Sequence, residues 1–221
     1  MNRLVILLMT SASAFAADNW CRDIAGSSES YNLGISIRQS NFYVDSDSEY
    51  PNAKVLKCPE VTNNCIDKYN PVVKEHSKLI IGKQYKTMVC AYNIANGTTG
   101  WIPRSAIRPQ SRVKVDNKQL LGKWFADAAV INFTKATGNF VGTGSAKWYG
   151  GPDGDIVHTG EFSAIIAESH IRNGVGRLKD NDSDCVVDFY LVANKYLVIS
   201  DNNQCGGANV RFNGIFTKKN I

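Results

Sequence analysis

Residues able to run chemistry are few in this chain and widely spread. The three histidines are His76, His158 and His170. A serine or cysteine nucleophile needs a base in reach and a strained turn to present it. Gly142-Thr143-Gly144-Ser145-Ala146 comes nearest, but it is not G-x-S-x-G and it sits among strand formers. It reads as a glycine-kinked strand. Asp180, Asp182 and Asp184 alternate as D-x-D-x-D, which is how a calcium loop opens. That loop then needs Gly where Cys185 stands and Glu where Leu191 stands. An acidic, solvated hairpin turn is the expectation instead. Asp153/Asp155 and Asp45/Asp47/Glu49 lie close together in loops, whereas glycoside hydrolysis needs carboxylates across a cleft. The glycine-rich stretch 150–154 has no helix after it and no lysine at phosphate-loop spacing. No catalytic residue, metal or cofactor is assigned, and a binding role is expected over an enzyme. The enzyme alternative is a cell-wall or lipid hydrolase in which His158 or His170 meets a carboxylate from another strand.

The six cysteines are Cys21, Cys58, Cys65, Cys90, Cys185 and Cys205. All follow the first twenty residues, and an even number in an exported chain reads as disulfides. Cys185 and Cys205 flank a predicted hairpin turning near Asn194-Lys195, so they are expected to pair. Cys58 and Cys65 close a small loop across 59–64. Cys21 and Cys90 remain, tying the start of the mature chain to a later strand. Zinc is the alternative for such residues, but there is no C-x-x-C, no H-x-x-x-H and no close Cys/His pair.

Export is read from the first sixteen residues. Met1-Asn2-Arg3 is a charged start, 4–9 is a short apolar run, and Ala14-Phe15-Ala16 fits the A-x-A cleavage pattern. The apolar run is too short to remain as a spanning helix, and no later segment is long enough. Cys21 has no lipobox context. A soluble periplasmic protein without an integral membrane segment is the expectation. The formal net charge of +5 is mild, no Lys/Arg run stands out, and nucleic acid is not an expected partner.

These residues sit on a chain that reads as β throughout, with aromatic and β-branched runs separated by Gly, Asn and Asp. A boundary is expected at a linker over 109–118, with domains at 20–108 and 119–219. Region 113–121 is either linker or a short helix. In the first half, 79–83 precedes a strand at 85–92, a polar turn at 93–99, then Gly100-Trp101-Ile102-Pro103 and Ala106-Ile107. This resembles the closing strands of a bacterial SH3 (SH3b) domain, with Tyr43 and 53–56 on earlier strands. The resemblance implies a small barrel. Trp101 is either its core plug or part of an aromatic ligand groove with Tyr43, Tyr85 and Tyr92.

The second half opens Leu121-Gly122-Lys123-Trp124 and continues with candidate strands at 124–133, 140–149, 156–166, 174–178, 185–192, 196–200 and 210–216. G-x-W before a run of hairpins resembles lipocalin-like barrels, and implies a tryptophan closing one end. The tail 201–214, with Cys205-Gly206-Gly207 and Val210-Arg211-Phe212-Asn213-Gly214, resembles the closing segment of small exported, lysozyme-inhibitor-like barrel proteins. The whole chain is then all-β, an SH3-like small barrel followed by an antiparallel up-and-down β-barrel, stapled by disulfides. The functional expectation is a periplasmic binding protein, in particular an inhibitor or immunity protein blocking a toxin or lysozyme-like hydrolase. Binding of peptidoglycan or peptide by the first half is the alternative, and a small-molecule carrier is a further one.

Overall fold

A computed structural model describes residues 21, 24–25, 30–43, 72–151 and 154–218. The leader at 1–16, Cys58, Cys65 and the strand expected at 53–56 lie outside the described residues. Within them the chain is antiparallel β with short 3-10 turns and no α-helix.

The first sheet holds β1 (Asn32–Ser36), β2 (Lys78–Tyr85), β3 (Met88–Asn93), β4 (Thr99–Pro103) and β5 (Ile107–Pro109), in the order β4-β3-β2-β1-β5. Tyr85 ends β2 and does not open the next strand, because Lys86 turns the chain at φ 49°. The second sheet holds β6 (Gly122–Phe125), β7 (Ala129–Ala136), β8 (Asn139–Gly150), β9 (Ile156–Ala167), β10 (Val175–Lys179), β11 (Val186–Val192), β12 (Tyr196–Asp201) and β13 (Gly214–Thr217). The run expected as one strand over 124–133 is a hairpin. Asp127 falls in its turn, and the Ala126 N–H donates to the Ala129 carbonyl at 2.9 Å. Strand β13 is shorter than expected. Residues 210–213 leave the ladder, and the Asn213 side chain accepts from the Asp201 N–H instead.

The second sheet runs up and down through chain neighbours and curls into a barrel. Its ladder closes between β13 and β6 at Thr217↔Phe125 and stays open between β9 and β10. Aromatic rings occupy the interior: Phe133 packs edge-on to Phe189 at 5.2 Å and Phe162 to Phe212 at 5.0 Å. Trp124 is fully buried, and its Nε1 donates to the Leu120 carbonyl at 2.7 Å under the 3-10 turn Asn117–Leu120. Glycines make room for these rings. A Cβ on Gly142 would stand 2.5 Å from Leu178, and one on Gly144 would collide with the Phe162 ring. The stretch 142–146 is therefore a strand shaped by packing.

The two sheets pack together. On β3, Val89 and Ala91 face the core of the first sheet, while Met88 and Cys90 face a cluster shared with the barrel. On β12, Leu197 and Ile199 point into the barrel, while Tyr196 and Val198 point into the shared cluster. Strands buried on both faces read as unbroken apolar runs, and Met88-Val89-Cys90-Ala91 and Tyr196-Leu197-Val198-Ile199 are such runs. The connection between the sheets is fastened too. Asn194 accepts from the Asp116 N–H and donates to the Lys114 carbonyl, and Asn117 links the Ile171 carbonyl to the Gly174 N–H.

Candidate functional site

Tyr43, Tyr85, Tyr92 and Trp101 do come together, in the cluster between the sheets. Tyr43 and Trp101 exchange backbone hydrogen bonds at 2.9 and 3.1 Å, and the Tyr85 ring lies 6.2 Å from the Trp101 ring. Trp101 is 0% exposed, so its ring is a packing element that offers no face to a ligand. The three tyrosines are half-buried around it. Burial, and then the charge of Asp127, hold the Tyr92 hydroxyl above its ordinary range and keep it neutral. The Cys21–Cys90 disulfide pins Cys21, Ile24 and Ala25 into the same cluster.

In the D-x-D-x-D stretch Asp182 and Asp184 are exposed, as a solvated turn requires, but Asp180 departs from that expectation and is only 9% exposed. It stands just past β10, at the open seam of the barrel. Its carboxylate accepts from the Ser163 N–H of β9 at 2.5 Å, from the Asp182 N–H at 2.9 Å and from the Ser183 hydroxyl at 2.9 Å. The bond from Ser163, ahead of those from Asp182 and Ser183, holds the carboxylate below its ordinary range against the opposing effect of burial. One side chain thus replaces a missing rung of the ladder. A second fastening lies further along β9, where the Gly207 N–H donates to the Thr159 carbonyl at 3.1 Å. The Cys185–Cys205 disulfide anchors the loop that carries Gly207.

Asp180 also positions a wall. The turn 180–183 borders a groove of about 740 Å³ on the outer face of β6–β9. Register places the groove floor in two rows. Lys123, Asn132, Thr143 and Ser163 are successive cross-strand partners, and beside them run Val130, Ser145 and Glu161. These side chains alternate with the buried ones, as the two-residue period of a strand demands. The groove sits apart from the aromatic cluster. Sequence reasoning missed it because it depends on which residues of four strands fall opposite one another.

Beyond the groove, β8 and β9 stay paired after β7 ends at Ala129↔Ala146, for the four pairs from Lys147↔Thr159 to Gly150↔Ile156. This ribbon extends roughly 13 Å at strand rise. Its outer face ends on the cross-strand pair Tyr149, 59% exposed, and Val157, 48% exposed, while Ile156, 47% exposed, ends the other face across from Gly150. On the inner face Trp148 and His158 lie 5.2 Å apart, ring to ring. The His158 Nδ1 is 2.6 Å from the Ala208 carbonyl oxygen. His170 and His76 are exposed on other parts of the chain. Among the described residues no group of three or more His, Cys, Asp or Glu is placed to hold a metal. No family model, no curated protein and no solved structure matches this chain.

Proposed function

We propose that this chain is an exported, non-catalytic binding protein of the bacterial periplasm, of inhibitor or immunity type. It blocks a toxin or a lysozyme-like hydrolase by seating the β8–β9 ribbon in the partner's cleft. The observation that carries this reading is the exposed Tyr149, Val157 and Ile156 at the free end of a ribbon rooted in a packed barrel. Tyrosine and tryptophan anchors dominate the energy of protein interfaces. A ribbon held by a filled barrel loses little entropy on binding. Two disulfides fit an oxidising compartment. No helix among the described residues is long and apolar enough to cross a membrane.

The test is a pull-down from periplasmic extract with oxidised residues 17–221 as bait, beside the double variant Tyr149→Ala, Val157→Ser. The native chain is expected to retain one stoichiometric protein. The variant is expected to bind it at least about tenfold more weakly, as loss of a central aromatic anchor does. Equal retention by both, or retention of no envelope protein, overturns the proposal.

A further inference from the structure

We propose that the groove over β6–β9 is a second binding site, for a short, extended, zwitterionic peptide of about four residues. The argument starts from the floor. The row Lys123–Asn132–Thr143–Ser163 crosses four adjacent strands. Three strand spacings of about 4.8 Å set its ends roughly 14 Å apart. Its centre is amide and hydroxyl, groups that both donate and accept. Peptide groups ask for that pairing, since each presents an N–H and a C=O.

The ends carry opposite charge. Lys123 stands at the β6 end, and Glu161 and Asp182 stand at the β9 end. Among the described residues the side chains of these three make no hydrogen bond or ion pair, whereas Lys135–Glu168 and Arg177–Asp188 are paired elsewhere on the barrel. A lysine and two carboxylates held apart across the groove match a ligand with a carboxylate at one end and an ammonium at the other. An extended chain of four residues covers about 14 Å, the length of the row. A sugar chain fits less well. Phe162, the aromatic residue of the lining, is buried beneath the floor and offers no exposed ring for a pyranose to stack on. The ribbon tip is separate: Tyr149↔Val157 lies two register steps of its face beyond Ser145↔Glu161. The two proposals therefore stand or fall separately.

The probe is tetra-alanine with free ends, compared with its N-acetyl and C-amide forms, titrated into the oxidised full-length mature chain and followed by amide chemical shifts. The free peptide is expected to shift Asn132, Thr143 and Ser163. Each capped form is expected to bind about two- to fivefold more weakly, the worth of an exposed ion pair. Lys123→Ala is expected to abolish the discrimination between carboxylate and C-amide while leaving that between amine and N-acetyl. The double variant Glu161→Gln, Asp182→Asn is expected to do the reverse. These side chains are on the surface, so the variants keep the fold, and their thermal midpoints check it. Equal binding of all three peptides, shifts mapping elsewhere, no binding at millimolar peptide, or stronger binding of a neutral chito-oligosaccharide overturns the proposal.

Discussion

Replacing Asp180 by alanine tests whether one carboxylate closes the barrel. The substitution removes the acceptor for the Ser163 N–H, the Asp182 N–H and the Ser183 hydroxyl. The Ser163 N–H lies at the seam between β9 and β10, where no ladder partner replaces the lost acceptor. Leaving such a donor unpaired costs about 1–3 kcal/mol. The other two bonds are local to an exposed turn, where water substitutes, and together they add about 1 kcal/mol. The expected loss is about 3 kcal/mol, or roughly 6–12 °C in Tm for a chain of this size. Denaturant unfolding and calorimetry measure it, and hydrogen exchange locates it at the Ser163 amide. Acid titration supplies the sign. The folded carboxyl is held below its ordinary value, so its contribution is complete above the unfolded value of about 3.9. It is lost as pH falls through the lower folded value. The native chain should therefore lose stability across that acid window, and Asp180→Asn should show a shallower fall. A loss under about 1 kcal/mol, or an unchanged exchange rate at Ser163, would refute the account of the seam.

Other substitutions probe the remaining supports. Gly144→Val forces a side chain against the Phe162 ring and is expected to cost about 1–3 kcal/mol, read from the denaturation midpoint. Trp101→Ala empties the cluster between the sheets and should cost about 3–5 kcal/mol. Because the ring is wholly buried, the variant should leave tetra-alanine binding within about twofold of the native chain wherever it stays folded. Replacing Cys185 and Cys205 by alanine removes a cross-link over a sequence separation of 20 residues and should cost about 3 kcal/mol. Exchange at the Gly207 amide should rise first, since the disulfide anchors its loop against β9.

What could be read along the chain was what short-range physics dictates. Alternating apolar residues and Gly, Asn and Asp turns are local signals, and they marked both sheets and most strands. The pairing of Cys185 with Cys205 followed from the hairpin between them, and that of Cys21 with Cys90 from what remained. Local signals also failed locally. Asp127 broke a run that looked continuous, and Lys86 took a left-handed turn without a glycine to announce it. The sequence by itself determined an all-β chain and the succession of hairpins in the second sheet, because strand period and turn chemistry are properties of neighbours. It left β1 unmarked, and the place of β1 between β2 and β5 is set by long-range pairing. Only the tertiary structure decided which residues face outward together. Lys123, Asn132, Thr143 and Ser163 are far apart in sequence and become one row through register across four strands. The burial of Trp101, Tyr196 and Val198 between two sheets, and the reach of Asp180 to Ser163 across an open seam, depend in the same way on long-range packing. No pattern within a single strand encodes them.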